Sequence, residues 1–133
     1  TVLSVAGIDL PKSHILDGSD LKKLLSGKND KKHRNDFLMH FPHAHNTSYF
    51  TVYRKGDWKL IYYYHPEKEN ASLCKLYNLK NDPYEKNEVS LEYPKIVRRM
   101  FNQMKERLEH ENALYPVDEN NNIVKPKLPE CFL

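Results

Sequence analysis

Three histidines fall within six residues in the stretch His40-Phe41-Pro42-His43-Ala44-His45. Imidazoles this close can ligate a metal, pass protons near neutral pH, or hydrogen-bond an anionic ligand. Spacing gives the metal option little support, because no carboxylate or thiolate stands beside them at a familiar ligand interval. Pro42 also breaks any helix or central strand at this point. Two readings stay open. One is a strand-end loop whose histidines are partly solvated; the other is a recognition loop in which His40, His43 and His45 touch substrate, as loops at strand ends commonly do.

Other chemistry is sparse. No serine lies in G-x-S-x-G, and four glycines build no phosphate-binding loop. Glu106 and Glu109 sit on one helix face, where carboxylates are ordinarily solvated. Asn46-Thr47-Ser48 and Asn70-Ala71-Ser72 match the glycosylation pattern, which also arises by chance. Cys74 and Cys131 could form one disulfide but fit no metal spacing. The net charge of +3 comes from 21 basic and 18 acidic residues. Its densest cationic runs, residues 28–34 and Arg98-Arg99, are diluted by acids nearby, unlike the basic stripe of a nucleic-acid protein. No nucleophile, base and oxyanion site come together.

The elements that must position the histidines follow from patterning. At 133 residues, 39% hydrophobic and 29% charged, the chain is of single-domain size. No run approaches the ~18 apolar residues of a membrane span. Thr1–Ala6 reads as the last turns of a helix closed by Gly7, and Ser19-Asp20 caps a short helix over Leu21–Leu25. Turn signals stand at Leu10-Pro11 and Asp17-Gly18, and residues 28–36 are polar. Strands are predicted over 37–41, 48–54, 58–64 and 74–79, with Gly56-Asp57 forming a type II′ hairpin turn. Along 58–64, Trp58, Leu60, Tyr62 and Tyr64 share one face, while Lys59, Ile61 and Tyr63 share the other. Ile96, Val97, Met100, Met104 and Leu108 recur at helical spacing, which predicts a helix over 94–112 opened by Pro94. Its apolar stripe needs one face of the sheet, so the tyrosines read as core in preference to a stacking platform. The segment 114–133, with prolines at 116, 126 and 129 and the polar run Asp118-Glu119-Asn120-Asn121-Asn122 among them, reads as irregular or wrapping.

Several segments taken together resemble one family. Residues 1–28, "TVLSVAGIDLPKSHILDGSDLKKLLSGK", are similar to a sulfatase pattern of helix end, A-G-I-x-L-P, L-D-G-x-x-L and leucine-rich short helix. "FLMHFPHAH" resembles the H-F-P-H segment of bacterial sulfatases, and "VYRKGDWKLIYYY" resembles their Gly-Asp-Trp-Lys-Leu-Ile hairpin. "LYNLKNDPYEKNEV" matches L-Y-x-L-x-x-D-P-x-E-x-x-N-L, departing at Asn87-Glu88-Val89. The order and spacing hold from Thr1 to about Pro116. The resemblance is to the C-terminal end of type I, formylglycine-dependent sulfatases of the alkaline phosphatase superfamily.

That resemblance implies an α+β fold: a small antiparallel sheet packed by one long C-terminal helix, preceded by a remnant of a large α/β domain. Residues 1–35 would be that remnant and a linker, 36–116 the C-terminal subdomain with helix 94–112, and 117–133 an irregular tail. In the family a Cys or Ser in C/S-x-P-x-R becomes formylglycine, whose hydrate attacks sulfur while calcium neutralises the sulfate oxygens. Here the contexts are Cys74-Lys75-Leu76-Tyr77 and Cys131-Phe132-Leu133, so catalytic residues and metal ligands are expected in an upstream catalytic domain. The chain then reads as one piece of a larger sulfatase, inactive alone and with no cofactor of its own. The resemblance makes His43 the first candidate for contact with a sulfated carbohydrate or aryl sulfate, with His45 and His40 beside it. Arg54, Asp57, Trp58 and Lys59 match as hairpin architecture, Arg54 and Lys59 as rim charges. It also implies a periplasmic or secreted setting. Alternatives are a stand-alone carbohydrate- or protein-binding module, or the tail of a related phosphodiesterase or phosphonate hydrolase.

Overall fold

A computed structural model describes residues 1–10, 13–14, 18–30, 35–43, 49–65 and 73–133. The sequons at Asn46 and Asn70 and most of the loop 65–72 therefore lie outside the described residues, as do parts of both turn signals near residues 11 and 17. The chain divides into two compact units, Thr1–Asn35 and Asp36–Leu133.

In the first unit α1 spans Val2–Val5 and α2 spans Lys22–Leu25. Gly7 closes α1 with φ of 71°, a left-handed value that costs a glycine nothing, and Ile8 N–H reaches back to the Leu3 carbonyl at 2.9 Å. Ahead of α2, the Asp20 carboxylate accepts Lys22 N–H at 2.9 Å, and that backbone bond holds its pKa below the usual carboxylate value. The Thr1 hydroxyl accepts Leu21 N–H at 2.8 Å, tying the start of α1 to the start of α2.

The second unit is an antiparallel meander, β1 Asp36–Phe41, β2 Phe50–Lys55, β3 Trp58–Tyr63 and β4 Cys74–Asn78, paired in chain order. The β2–β3 turn has the expected chemistry: Gly56 carries φ of 58° and Asp57 does not, as type II′ requires. The register sets Leu38, Tyr53, Leu60 and Leu76 side by side across all four strands. The helix α3, Pro94–His110, lays Val97, Met100, Phe101, Met104 and Leu108 onto this face. Phe101 joins the stripe read from the sequence, whereas Ile96 is only partly buried. The helix stops two residues earlier than its periodicity suggests, because Asn112 turns left-handed at φ of 50° and Ala113 N–H bonds back to the Leu108 carbonyl.

The segment after α3 wraps back onto the core. Phe132 is 1% exposed and packs within the helix–sheet cluster. Two bonds hold the approach: Lys127 N–H donates to the Tyr62 hydroxyl at 3.1 Å, and Arg98 Nε–H donates to the Phe132 carbonyl at 2.9 Å. The outer edge of β4 is also covered, since Leu76 N–H donates to Glu88 Oε1 at 3.0 Å and Val89 N–H donates to the Leu76 carbonyl at 3.0 Å. Glu88, one of the residues that departs from the sequence pattern, accepts Ser90 N–H as well, at 2.7 Å.

No disulfide joins the two cysteines. Cys74 is fully buried on the helix face, and burial pushes its thiol up to about 12, whereas Cys131 is exposed. Alkylation of the native protein at pH 8.5, mapped by mass spectrometry, should modify Cys131 and spare Cys74. Leu76 has no exposed surface beneath α3, so Leu76→Ala should cost about 2–5 kcal/mol in denaturant unfolding; a loss below 1 kcal/mol would contradict this packing.

Candidate functional site

Strand alternation separates two of the three clustered histidines. His40 is on the face of β1 that looks toward α3, opposite Thr51 in the register. Its Nδ1 lies 2.8 Å from Thr51 Oγ1, its Nε2 donates to the Leu114 carbonyl, and Thr51 Oγ1 is 2.9 Å from the Tyr64 hydroxyl. A carbonyl only accepts, so the bond to Leu114 places hydrogen on Nε2. With the ring neutral, Thr51 donates to Nδ1 and Tyr64 donates to Thr51. The ring also packs edge-on to Tyr64 and Tyr115, each centroid 5.9 Å away. Both nitrogens of His40 are thus engaged within the chain, linking an edge strand to the core and to the segment after α3. Burial pushes the Tyr64 hydroxyl well above the usual tyrosine range, so it stays protonated as a donor.

His43 has the opposite environment. It is exposed and tilts against Phe41 at a centroid distance of 4.6 Å, so it belongs with the sheet face turned away from α3. Phe41 stacks on its cross-strand partner Phe50 at 5.7 Å and 17°, and Phe50 meets Tyr63 at 6.5 Å. Lys75 Nζ lies 5.3 Å from the centre of the Tyr63 ring, at cation–π range. A row of aromatic rings therefore crosses the outer face from His43 to Lys75. Sequence reasoning did not single out Phe41, Phe50 or Lys75. The signal was the same alternation that placed Tyr63 opposite Tyr62 and Tyr64. His45 lies outside the described residues.

The hairpin residues are structural, with one qualification of the reading from sequence. Trp58 packs against Tyr93 at 5.1 Å, and the Asp57 carbonyl accepts Leu79 N–H at 2.7 Å. Lys59 is not an isolated rim charge: it forms an ion pair with both carboxylate oxygens of Glu85 at 2.7 Å. Glu85 ends the Asp82-Pro83-Tyr84-Glu85 block, whose Asp82 Oδ2 accepts Asn87 N–H at 2.7 Å. That backbone bond holds Asp82 below the usual carboxylate range. Among the described residues, no group of three or more His, Cys, Asp or Glu is placed to hold a metal ion.

The His40 chain should carry measurable stability. Replacing Thr51 by Val keeps the shape but leaves a ring nitrogen and the Tyr64 hydroxyl without their buried partner. The cost should be about 1–3 kcal/mol in equilibrium unfolding; an unchanged midpoint would show that the linkage is dispensable.

The chain aligns with solved structures at the level of the fold. One, solved with its substrate D-glucosamine-2-N,6-O-disulfate, has a TM-score of 0.64 at 23% identity, over 94% of this chain and 24% of that one. A second, a 2-O GAG sulfatase, scores 0.66 at 20% identity over 99% and 27%. A third, from Bacteroides thetaiotaomicron and described with the metabolism of multiple glycosaminoglycans, scores 0.56 at 24% identity over 80% and 23%. The chain thus spans about a quarter of the length of these proteins. No curated protein gives a significant match. The family described as N-sulphoglucosamine sulphohydrolase, C-terminal, matches residues 1–113, from α1 through the sheet to the end of α3, and the chain belongs to that family as the C-terminal portion of a sulfatase.

Proposed function

We propose that this chain closes one side of the substrate cleft in a sulfatase that hydrolyses sulfate esters of a carbohydrate, and that His43 contacts the sugar. The observation that carries the proposal is the contrast within the histidine cluster. His40 is spent on the Thr51–Tyr64 chain and the Leu114 carbonyl, whereas His43 is exposed on an aromatic row. On this reading His40 positions the strand that presents His43, and His45 shares the contact. The ring of His43 offers hydrogen bonds to hydroxyl or sulfate oxygens. Two relatives carry sulfated sugars or GAG in their descriptions, which supports a glycan over a simple aryl sulfate.

The nucleophile belongs to an upstream catalytic domain, together with calcium and formylglycine. Formylglycine supplies the attacking oxygen and calcium the charge neutralisation; this chain supplies recognition. The apolar outer face of the sheet suits a covering domain, since Phe37 and Met39 are 57% and 40% exposed there. Val2 and Val5 in α1 are 81% and 64% exposed, again fitting residues that a larger fold covers. A periplasmic or secreted location fits the family. No helix among the described residues is long and apolar enough to cross a membrane.

In the full-length enzyme, His43→Ala should lower kcat/KM on its sulfated sugar by about 10- to 100-fold, the loss of one substrate hydrogen bond. His40→Ala should act chiefly through stability. Unchanged kcat/KM for His43→Ala across a panel of sulfated sugars would sink the substrate-contact reading.

A further inference from the structure

A groove of about 530 Å³ runs along α3 where the returning segment 126–128 crosses it. The buried side chains Phe101 and Pro126 line its base, and the exposed Arg98, Asn102, Lys105 and Lys127 stand around it. Arg98, Asn102 and Lys105 occupy positions i, i+4 and i+7, one face of the helix. Lys127 is brought opposite them by the bond from its own N–H to Tyr62. Arg98 is steadied by its Nε–H bond to the Phe132 carbonyl at 2.9 Å. Among the described residues, no acidic side chain lines the groove. Lys105 does approach Glu109 at 4.0 Å, but both are about half exposed, and such pairs hold a lysine only weakly.

We infer that this groove binds an anionic oligosaccharide, with sulfate or carboxylate groups on Arg98, Lys105 and Lys127 and an apolar sugar face against Leu128 and Leu133, which also line it. Its size falls in the range of small-ligand sites, ~300–1,000 Å³. Three cations with no acidic side chain among the described lining residues favour a ligand carrying several negative charges, and the Asn102 amide can both donate to and accept from hydroxyls. A nucleic acid fits less well: base stacking needs open aromatic faces, and the one aromatic side chain among the described lining residues is the buried Phe101. The choice of a sugar as carrier of the charge rests on the carbohydrate reading above. The site itself is separate from His43, because the groove follows α3 on one side of the sheet and His43 stacks on the other. It would hold a distant part of a long polyanionic chain, or a separate glycan, without touching the bond that is cut.

The test is a calorimetric titration of the full-length protein with a sulfated glycosaminoglycan hexasaccharide, an unsulfated uronate hexasaccharide and a neutral hexasaccharide. The double variant Lys105→Gln/Lys127→Gln should weaken binding of the sulfated probe about tenfold, as expected for two exposed charge contacts. Lys105→Arg/Lys127→Arg should retain binding, and either result from an unfolded protein is excluded by its melting curve. Binding of the unsulfated uronate probe alone would identify carboxylate as the recognised group, and binding of both anionic probes would assign either anion; each supports the site. The groove is overturned by unchanged affinity in the Gln variant, by equal affinity for the neutral probe, or by an equally tight and equally Lys-dependent single-stranded DNA hexamer. Titrating His43→Ala beside them separates the two ideas: groove affinity should survive that change whether or not its kcat/KM falls.

Discussion

The seam between Leu60 and Leu76 on the sheet and Met100, Met104 and Leu108 on the helix fixes everything else in the Asp36–Leu133 unit. Side chains alternate across a pleated strand, so committing this face to the helix commits every strand residue to one side or the other. Tyr62, Tyr64, Thr51 and His40 go inward with Leu60 and Leu76. Phe41, Phe50, Tyr63 and Lys75 go outward by the same rule. The sides to which His40 and Phe41 turn are therefore a consequence of packing two strands away from them. A one-residue slip of β1 would exchange the faces and bury Phe41 where His40 now meets Thr51.

Much of this arrangement was legible in the chain. The Gly56-Asp57 pair gives the hairpin, the alternation from Trp58 to Tyr64 gives its inner face, and Val97, Met100, Met104 and Leu108 give the helix stripe at its proper spacing. Each signal is local, spanning at most a few turns or one strand pair. The tail was legible only as something that wraps. Phe132 enters the core from a single 3₁₀ turn, Glu130–Phe132, held by its own carbonyl on Arg98 and by the Lys127 N–H on Tyr62, and such contacts leave no periodicity to read.

The candidate site shows the same limit. Three histidines within six residues suggest a group acting together, yet His40 and its neighbour Phe41 must point to opposite faces. His43 follows Phe41 only because the chain beyond Pro42 brings its ring back against the phenyl ring. Likewise the Asp-Pro-x-Glu block reads as a turn, but its Glu85 is a partner for Lys59, 26 residues earlier. Paired charges and returned loops depend on distance in space, which sequence spacing does not encode.

The fastening of the tail also sets an order in time. The meander's hairpins join residues close along the chain and close quickly. In contrast, the Lys127–Tyr62 bond spans 65 residues and the Leu114–His40 bond spans 74. Long closures lose more chain entropy before any contact repays them, so they belong late in folding. Until the segment 114–132 docks, Tyr62 lacks its partner and the place of Phe132 in the core stands open to water. The last step to form is thus also the first to open, and loosening at this strap would precede any loss of the sheet.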